Sequence, residues 1–261
     1  MDELSIEFND GKSYEKMMGV WSQLVGRDFL NWMLPDPNLR WLDVGCGAGA
    51  FTRLIAEHSA PVALSGIDPS PEQIAFARQN SNKLADFQVG DALKLPFPDD
   101  SFDVAVMALV IFFLADPGRG VAEMARTVAP GGCVASYAWD SLGGGAPASL
   151  ISNEVKKNGI TIPSVPNGSV SALPALEELW HATGMTEIKS QKIIVTREFE
   201  SFEAFWKNTW LSPNLMKVRE IIPPSIFDKI KADIYQQVCH NKDGSVSTTA
   251  TANAITGTVT K

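Results

Sequence analysis

Leu42-Asp43-Val44-Gly45-Cys46-Gly47-Ala48-Gly49 is the stretch on which the reading of this chain turns. It follows Arg40 and Trp41 in a short apolar run that reads as a strand, and it precedes a segment, about 49–59, that reads as a helix. Glycines at such a junction let the backbone turn sharply and let a ligand approach without Cβ contact. A glycine turn alone is weak evidence, since tight turns are common. Its surroundings give it meaning.

Asp68 follows Gly49 by 19 residues, at the end of a second apolar run in Gly66-Ile67-Asp68-Pro69-Ser70. A carboxylate about 20 residues past such a turn is placed to accept hydrogen bonds from both hydroxyls of a ribose. A third run, Phe87–Val89, ends in Gly90-Asp91-Ala92, where a carboxylate and an adjacent amide can read an adenine edge. Taken singly, each aspartate is an ordinary cap or turn residue. Three such features, at the carboxyl ends of three successive strands, would face one crevice.

Outward from this core the alternation continues. Pro71 opens a helix to about 80, Asp103–Val110 is a fourth strand, 117–128 a helix, and Gly131-Gly132 turns the chain into a fifth strand, Cys133–Trp139. The unbroken apolar run Val104–Val110 is typical of a parallel strand covered on both faces. The expected fold is therefore α/β, a doubly wound, mostly parallel sheet. Before it, 13–34 carries Tyr14, Met17, Met18, Trp21, Leu24, Val25, Leu30 and Met33 at helical spacing. After it, Gly143-Gly144-Gly145 opens a stretch to about 172, rich in Gly, Pro, Ser and Asn, that reads as a loop or partial lid. A helix over 174–183, a strand over 186–195, two or three helices within 198–240 and a last strand near 248–260 complete the chain. The expected organisation is one domain over 1–261. It comprises an N-terminal lid helix to 37, a cofactor-binding core over 38–140, the 141–172 loop and a helical insertion over 198–240 before the last strand.

Composition narrows the partners. With 22 Lys plus Arg against 30 Asp plus Glu, the formal charge of −8 repels a phosphate backbone, so nucleic acid is not an expected partner. Cys46, Cys133 and Cys239 are odd in number and far apart, which speaks for no disulfide framework, no metal site and a reducing, cytoplasmic location. The first residues, Met-Asp-Glu-Leu-Ser-Ile-Glu, are acidic where a signal peptide is basic, and no apolar run reaches about 18 residues.

Together, LDVGCGAGAFT, GIDPSPEQIAFAR, VGDALKLPFPDDSFDVAVM and EMARTVAPGG resemble the class I S-adenosylmethionine-dependent methyltransferases. The match is to the small-molecule "methyltransferase 11" group that includes quinone-biosynthesis enzymes. It runs over about 40–139, with weaker similarity in MGVWSQLVGRDFLNWM and DGSVSTTATANAITGTV. The resemblance implies a Rossmann-like fold, S-adenosylmethionine as cofactor, S-adenosylhomocysteine as product and a small methyl acceptor. It places Gly45, Gly47 and Gly49 under the methionyl part, Asp68 on ribose with Pro69 beside the adenosine, and Asp91 and Ala92 on the adenine. Met107 falls where the family's backbone meets the methionine portion. Tyr14 and Trp21 match aromatic positions of a helix that closes over the cofactor, with core packing as the plain alternative.

Leu109–Leu114 is entirely apolar where many relatives carry a polar residue or histidine, so an apolar or aromatic acceptor is expected, with Phe112 lining it. Trp139, Trp206 and Trp210 are further candidate lining residues, although an aromatic stripe is usually core. Transfer from a sulfonium needs alignment and exclusion of water more than it needs a base. His58, His181 and His240 fall on outer helices or beside a turn, which leaves Asp140 at the end of the fifth strand as the candidate base.

Other classes remain open. A nicotinamide-dependent oxidoreductase shares the glycine turn and acidic residue, but Ala50 stands at the third glycine position of GxGxxG, and no Tyr-x-x-x-Lys pair occurs. A phosphate-binding loop at Gly11-Lys12-Ser13 lacks its first glycine. A methyltransferase fold that only binds, or that runs a different reaction, is the remaining alternative.

Overall fold

The computed structural model describes residues 11–81, 84–163 and 165–260, with side chains from Met18 onward. The described chain runs α1 (Gly11–Met33), β1 (Arg40–Val44), α2 (Ala50–His58), β2 (Ala63–Asp68), α3 (Pro71–Asn80), β3 (Asp86–Val89), β4 (Phe102–Ala108), α4 (Pro117–Thr127) and β5 (Val128–Trp139). It continues α5 (Ser149–Lys157), α6 (Leu173–Ala182), β6 (Thr186–Phe199), α7 (Phe202–Thr209), α8 (Pro213–Arg219), α9 (Pro224–Gln237), β7 (Cys239–His240) and β8 (Val246–Thr258). Strand order is β3-β2-β1-β4-β5-β8-β6, with β7 pairing to β8. The first five strands are parallel and β8 lies antiparallel to β5. The order reverses between β1 and β4, the switch point at which an open α/β sheet binds its ligand.

The chain divides into two compact units. One comprises Ser22–Leu142, Pro166–Ile193 and Ala252–Lys261, and the other Met1–Trp21, Gly143–Val165 and Ile194–Thr251. The first holds the parallel strands, whose central residues Trp41, Leu42, Val44, Val104, Ala105, Val106 and Met107 are buried. Burial on both faces is what makes these strands read as continuous apolar runs. Its helices start where local chemistry directs. Ser70 caps α3 by accepting the Gln73 N–H at 3.2 Å, and Asp116 caps α4 by accepting that of Arg119 at 3.0 Å. Each cap precedes a proline at the first turn, where the missing N–H has no intrahelical partner to lose. An aromatic cluster holds α1 and α2 to β5, with Phe29 and Phe51 ring centroids 4.7 and 5.5 Å from that of Tyr137.

Two details differ from the sequence reading. The 143–172 stretch is not loop throughout, since α5 forms within it, with Ile151 and Val155 fully buried, and a 3-10 turn forms at Gly168–Ser171. And β5 begins at Val128, with Gly131-Gly132 inside it as an irregularity: Phe102 pairs with Val128 and Val104 with Cys133.

The second unit gathers α5, α7, α8 and α9. Glu154 of α5 accepts from Lys157 at 2.9 Å and from Gln237 of α9 at 3.3 Å, joining the two helices. Phe202, Trp206, Trp210 and Phe227 form its aromatic interior.

Candidate functional site

The glycine turn adopts backbone angles that glycine takes up most readily. Gly45, Gly47 and Gly49 have φ of 77°, 51° and 79°, the left-handed region that a Cβ disfavours. At Gly45 a Cβ would also lie 2.5 Å from the Val110 side chain, whereas at Gly47 it would meet nothing within 4 Å. The turn is close-packed below and open above Gly47.

Asp68 knits this turn to the next two strands. The N–H groups of Gly45 and Cys46 donate to the Ile67 carbonyl at 2.7 and 3.0 Å. The Asp68 carboxylate accepts the Gly47 N–H on Oδ2 and the Ser70 N–H on Oδ1, both at 2.9 Å. Its main-chain carbonyl accepts the Gly90 N–H at 3.1 Å. A carboxylate offers about four acceptor positions. Two remain beyond those backbone bonds, the number that the two hydroxyls of a ribose require. Half-buried Asp68 and exposed Pro69 stand at the end of β2. At the end of β3, Asp91 is exposed and Ala92 buried. The Asp91 carboxylate accepts the Leu93 N–H at 2.9 Å, which makes it a turn residue as well as a ligand candidate.

Beneath the turn lies a group that the pattern of glycines and aspartates did not single out. Asp43 is fully buried in β1, and its Oδ2 accepts the Thr52 hydroxyl at 2.6 Å. Its Oδ1 has no hydrogen-bond partner among the described residues. Burial pushes the Asp43 carboxyl up to about 7; the Thr52 hydrogen bond opposes this and the negative charge of Asp68 adds to it. Burial likewise raises the Cys46 thiol far above its usual range. An acid inside the apolar run Arg40–Val44 was the available signal for Asp43.

Met107 is inside β4 and fully buried, and its carbonyl accepts the Ser136 hydroxyl at 2.9 Å. The residues that leave the strand are Leu109, with φ of 61°, and Val110. The Leu109 N–H donates to the Tyr137 carbonyl at 2.9 Å, which ties this exit to the carboxyl end of β5. Phe112, in a 3-10 turn at Ile111–Phe113, is buried, with its ring tilted against that of Phe113 at a centroid distance of 4.5 Å. Its carbonyl accepts the Asn167 N–H at 3.1 Å.

Among the remaining candidates, Tyr14 falls in α1 but its side chain lies outside the described residues. Trp21 is buried, with the Arg197 guanidinium 5.9 Å from its ring. Trp139 is buried and its Nε1 has no partner among the described residues. Trp206 and Trp210 have relative exposures of 5% and 2%, and both rings lie 5.2 Å from that of Phe227. Both pack within the aromatic interior of the second unit. Asp140 is buried, and its Oδ2 is 3.0 Å from Lys192 Nζ. His58, His181 and His240 are all exposed.

The geometry fits an adenosyl group with a flexible amino-acid tail: an open glycine turn, a carboxylate with spare acceptor positions and a small buried residue at the end of β3. Comparisons with known proteins point the same way. Residues 42–136 match the family model described as Methyltransferase domain. The demethylmenaquinone methyltransferase of Deinococcus radiodurans is 40% identical over 96 residues, covering 36% of this chain and 40% of that one. The 2-methyl-6-phytyl-1,4-hydroquinone methyltransferase 2 of Oryza sativa is 40% identical over 116 residues, covering 44% and 33%. These matches span less than half the length of either relative. Among solved structures, the YcgJ protein of Bacillus subtilis is similar in fold, with a TM-score of 0.57 at 19% identity over 91% of this chain and 98% of that one. The Haemonchus contortus phosphoethanolamine N-methyltransferase 2, in complex with S-adenosylhomocysteine, has a TM-score of 0.57 at 18% identity over 95% and 56%. With 42–136 matching the methyltransferase domain, this stretch is similar to the class I S-adenosylmethionine-dependent methyltransferases.

Proposed function

We propose that the protein transfers a methyl group from S-adenosylmethionine to a small, apolar or aromatic acceptor. The observation that carries the reading is the Asp68 carboxylate, which holds the open glycine turn while keeping acceptor positions for a ribose. When bound, S-adenosylmethionine supplies a methyl group on a positively charged sulfur, already activated for displacement. The chain's own task is then to align the acceptor with that methyl and to keep water out. The apolar exit from β4, Leu109–Leu114, supports an apolar acceptor. Two of the relatives named above are a demethylmenaquinone and a hydroquinone methyltransferase, which agrees with that choice. The acidic chain favours a small-molecule partner over nucleic acid, and no described helix is long and apolar enough to cross a membrane. We place the protein in the cytoplasm.

Thermal unfolding tests the cofactor class, because a ligand stabilises only the state that binds it. S-adenosylmethionine and S-adenosylhomocysteine are expected to raise the melting temperature, and NADH and NADPH to leave it unchanged. Stabilisation by a nicotinamide alone would overturn the reading in favour of an oxidoreductase.

A further inference from the structure

Buried polar groups in a strand of small and apolar residues call for an explanation, because leaving one unsatisfied costs stability that an alanine or leucine would not. Asn253 is such a group. It lies in β8 between Ala252 and Ala254, at 1% relative exposure. Its Nδ2 donates to the Ser171 carbonyl at 2.8 Å, while Oδ1 has no hydrogen-bond partner among the described residues. The amide is thus fixed in orientation by one bond and presents an acceptor that nothing described uses.

Asn253 pairs with Ala138 across the antiparallel β5–β8 ladder, so the two side chains share a face of the sheet. Asp140 follows Trp139 directly, where the strand ends and the Ser141 N–H turns back to the Trp139 carbonyl at 2.7 Å. Asp140 is the other buried polar side chain at this end of β5, and Lys192 Nζ lies 3.0 Å from its Oδ2. This end of β5 and its β8 partner thus carry two acceptor-bearing side chains. They lie on the rim that carries the glycine turn: β4 separates β5 from β1, and Leu109 at its exit bonds to Tyr137.

We propose that Asp140, Asn253 and Lys192 form the polar pole of the acceptor site, with Asp140 and Asn253 accepting hydrogen bonds from a hydroxyl on an otherwise apolar acceptor. Lys192 is a positioning residue that holds the Asp140 carboxylate toward the pole. The inference rests on the methyl-transfer reading and narrows it: the acceptor is a phenol-type molecule, apolar apart from its hydroxyl, rather than a hydrocarbon or a fully etherified compound. Sites built to accept from a hydroxyl discriminate strongly against analogues that lack it, since their own buried groups are then left unpaired.

The test uses two probes related by replacement of the hydroxyl hydrogen with a methyl group, 4-methylphenol and its methyl ether 4-methylanisole. Both are titrated calorimetrically into the full chain, once with S-adenosylhomocysteine and once without. Absence of any response to S-adenosylhomocysteine fails the methyl-transfer reading, and the probe ratio is still read from the second titration. The wild type is expected to bind the phenol at least about tenfold more tightly than the ether. Asp140→Asn and Asn253→Leu should bring the ratio toward one, and Lys192→Met should reduce it. Lys192→Met, on a half-exposed side chain, carries the test if either buried substitution fails to fold. A wild-type ratio of one, no binding of either probe, or a preference that survives in every folded variant overturns the proposal.

Discussion

Asp68 has about four acceptor positions on its carboxylate, and the N–H groups of Gly47 and Ser70 occupy two of them. Truncation to alanine thus removes a ligand contact and a tie on the glycine turn together. Hydrogen bonds to a charged group are each worth roughly 1.5–3 kcal/mol. Asp68→Ala should therefore weaken S-adenosylhomocysteine binding by at least about tenfold and also lower the melting temperature of the free protein. Calorimetry and thermal unfolding on one preparation check both, and unchanged affinity in a folded variant would remove Asp68 from the site. Asp43 acts through its proton. Its folded carboxyl titrates near 7 against an ordinary value of 3.8. The native state therefore keeps a proton that the unfolded chain releases, and the stability this provides is full below about pH 4. It is lost as pH rises toward 7, at about 1.4 kcal/mol per pH unit, and the loss levels off above 7. The difference between wild type and Asp43→Asn in urea unfolding, followed from pH 4 to 8, should show that slope. A pH-independent difference would assign the proton elsewhere. Cysteine labelling reads the turn from another side: exposed Cys239 should react with a thiol reagent in the native state, while Cys46, buried with a raised thiol, should stay unmodified until unfolding.

At the scale of elements, the parallel strands were legible because burial on both faces writes itself as an apolar run, and α3 and α4 because a cap precedes a proline. α5 escaped because its buried positions, Ile151 and Val155, span barely one turn between polar neighbours and follow a glycine-rich stretch. The start of β5 escaped because Gly131-Gly132 reads as a turn, whereas the pairing to β4 absorbs it as an irregularity. The helical insertion is expected to cover an acceptor, and within the second unit its Trp206 and Trp210 rings pack on Phe227. Trp210→Ala is accordingly expected to cost about 3–5 kcal/mol of stability, the range for truncating a buried large aromatic residue. Denaturant unfolding measures it. Unaltered stability combined with lost turnover would return Trp210 to the acceptor site.

For the molecule as a whole, net charge is a property that no folding can hide. A chain with a formal charge of −8 should show no saturable binding to duplex DNA even at about 50 mM salt, where phosphate contacts are strongest. A fluorescence-anisotropy titration decides it. Charge, the order of the parallel strands, the glycine turn and the aspartates at the ends of the second and third strands were all present in the sequence by itself, because they follow from composition, local stereochemistry or the period of burial. The tertiary structure alone decided which polar groups meet. Asn253 and Ala138 are 115 residues apart in the chain and pair only through the antiparallel β5–β8 ladder. Lys192 reaches Asp140 from a third strand. The protonation of Asp43 depends on burial that β2, β4 and α2 together impose. Such contacts carry no local signature, since they arise from the closure of long loops around one core rather than from the preferences of any one segment.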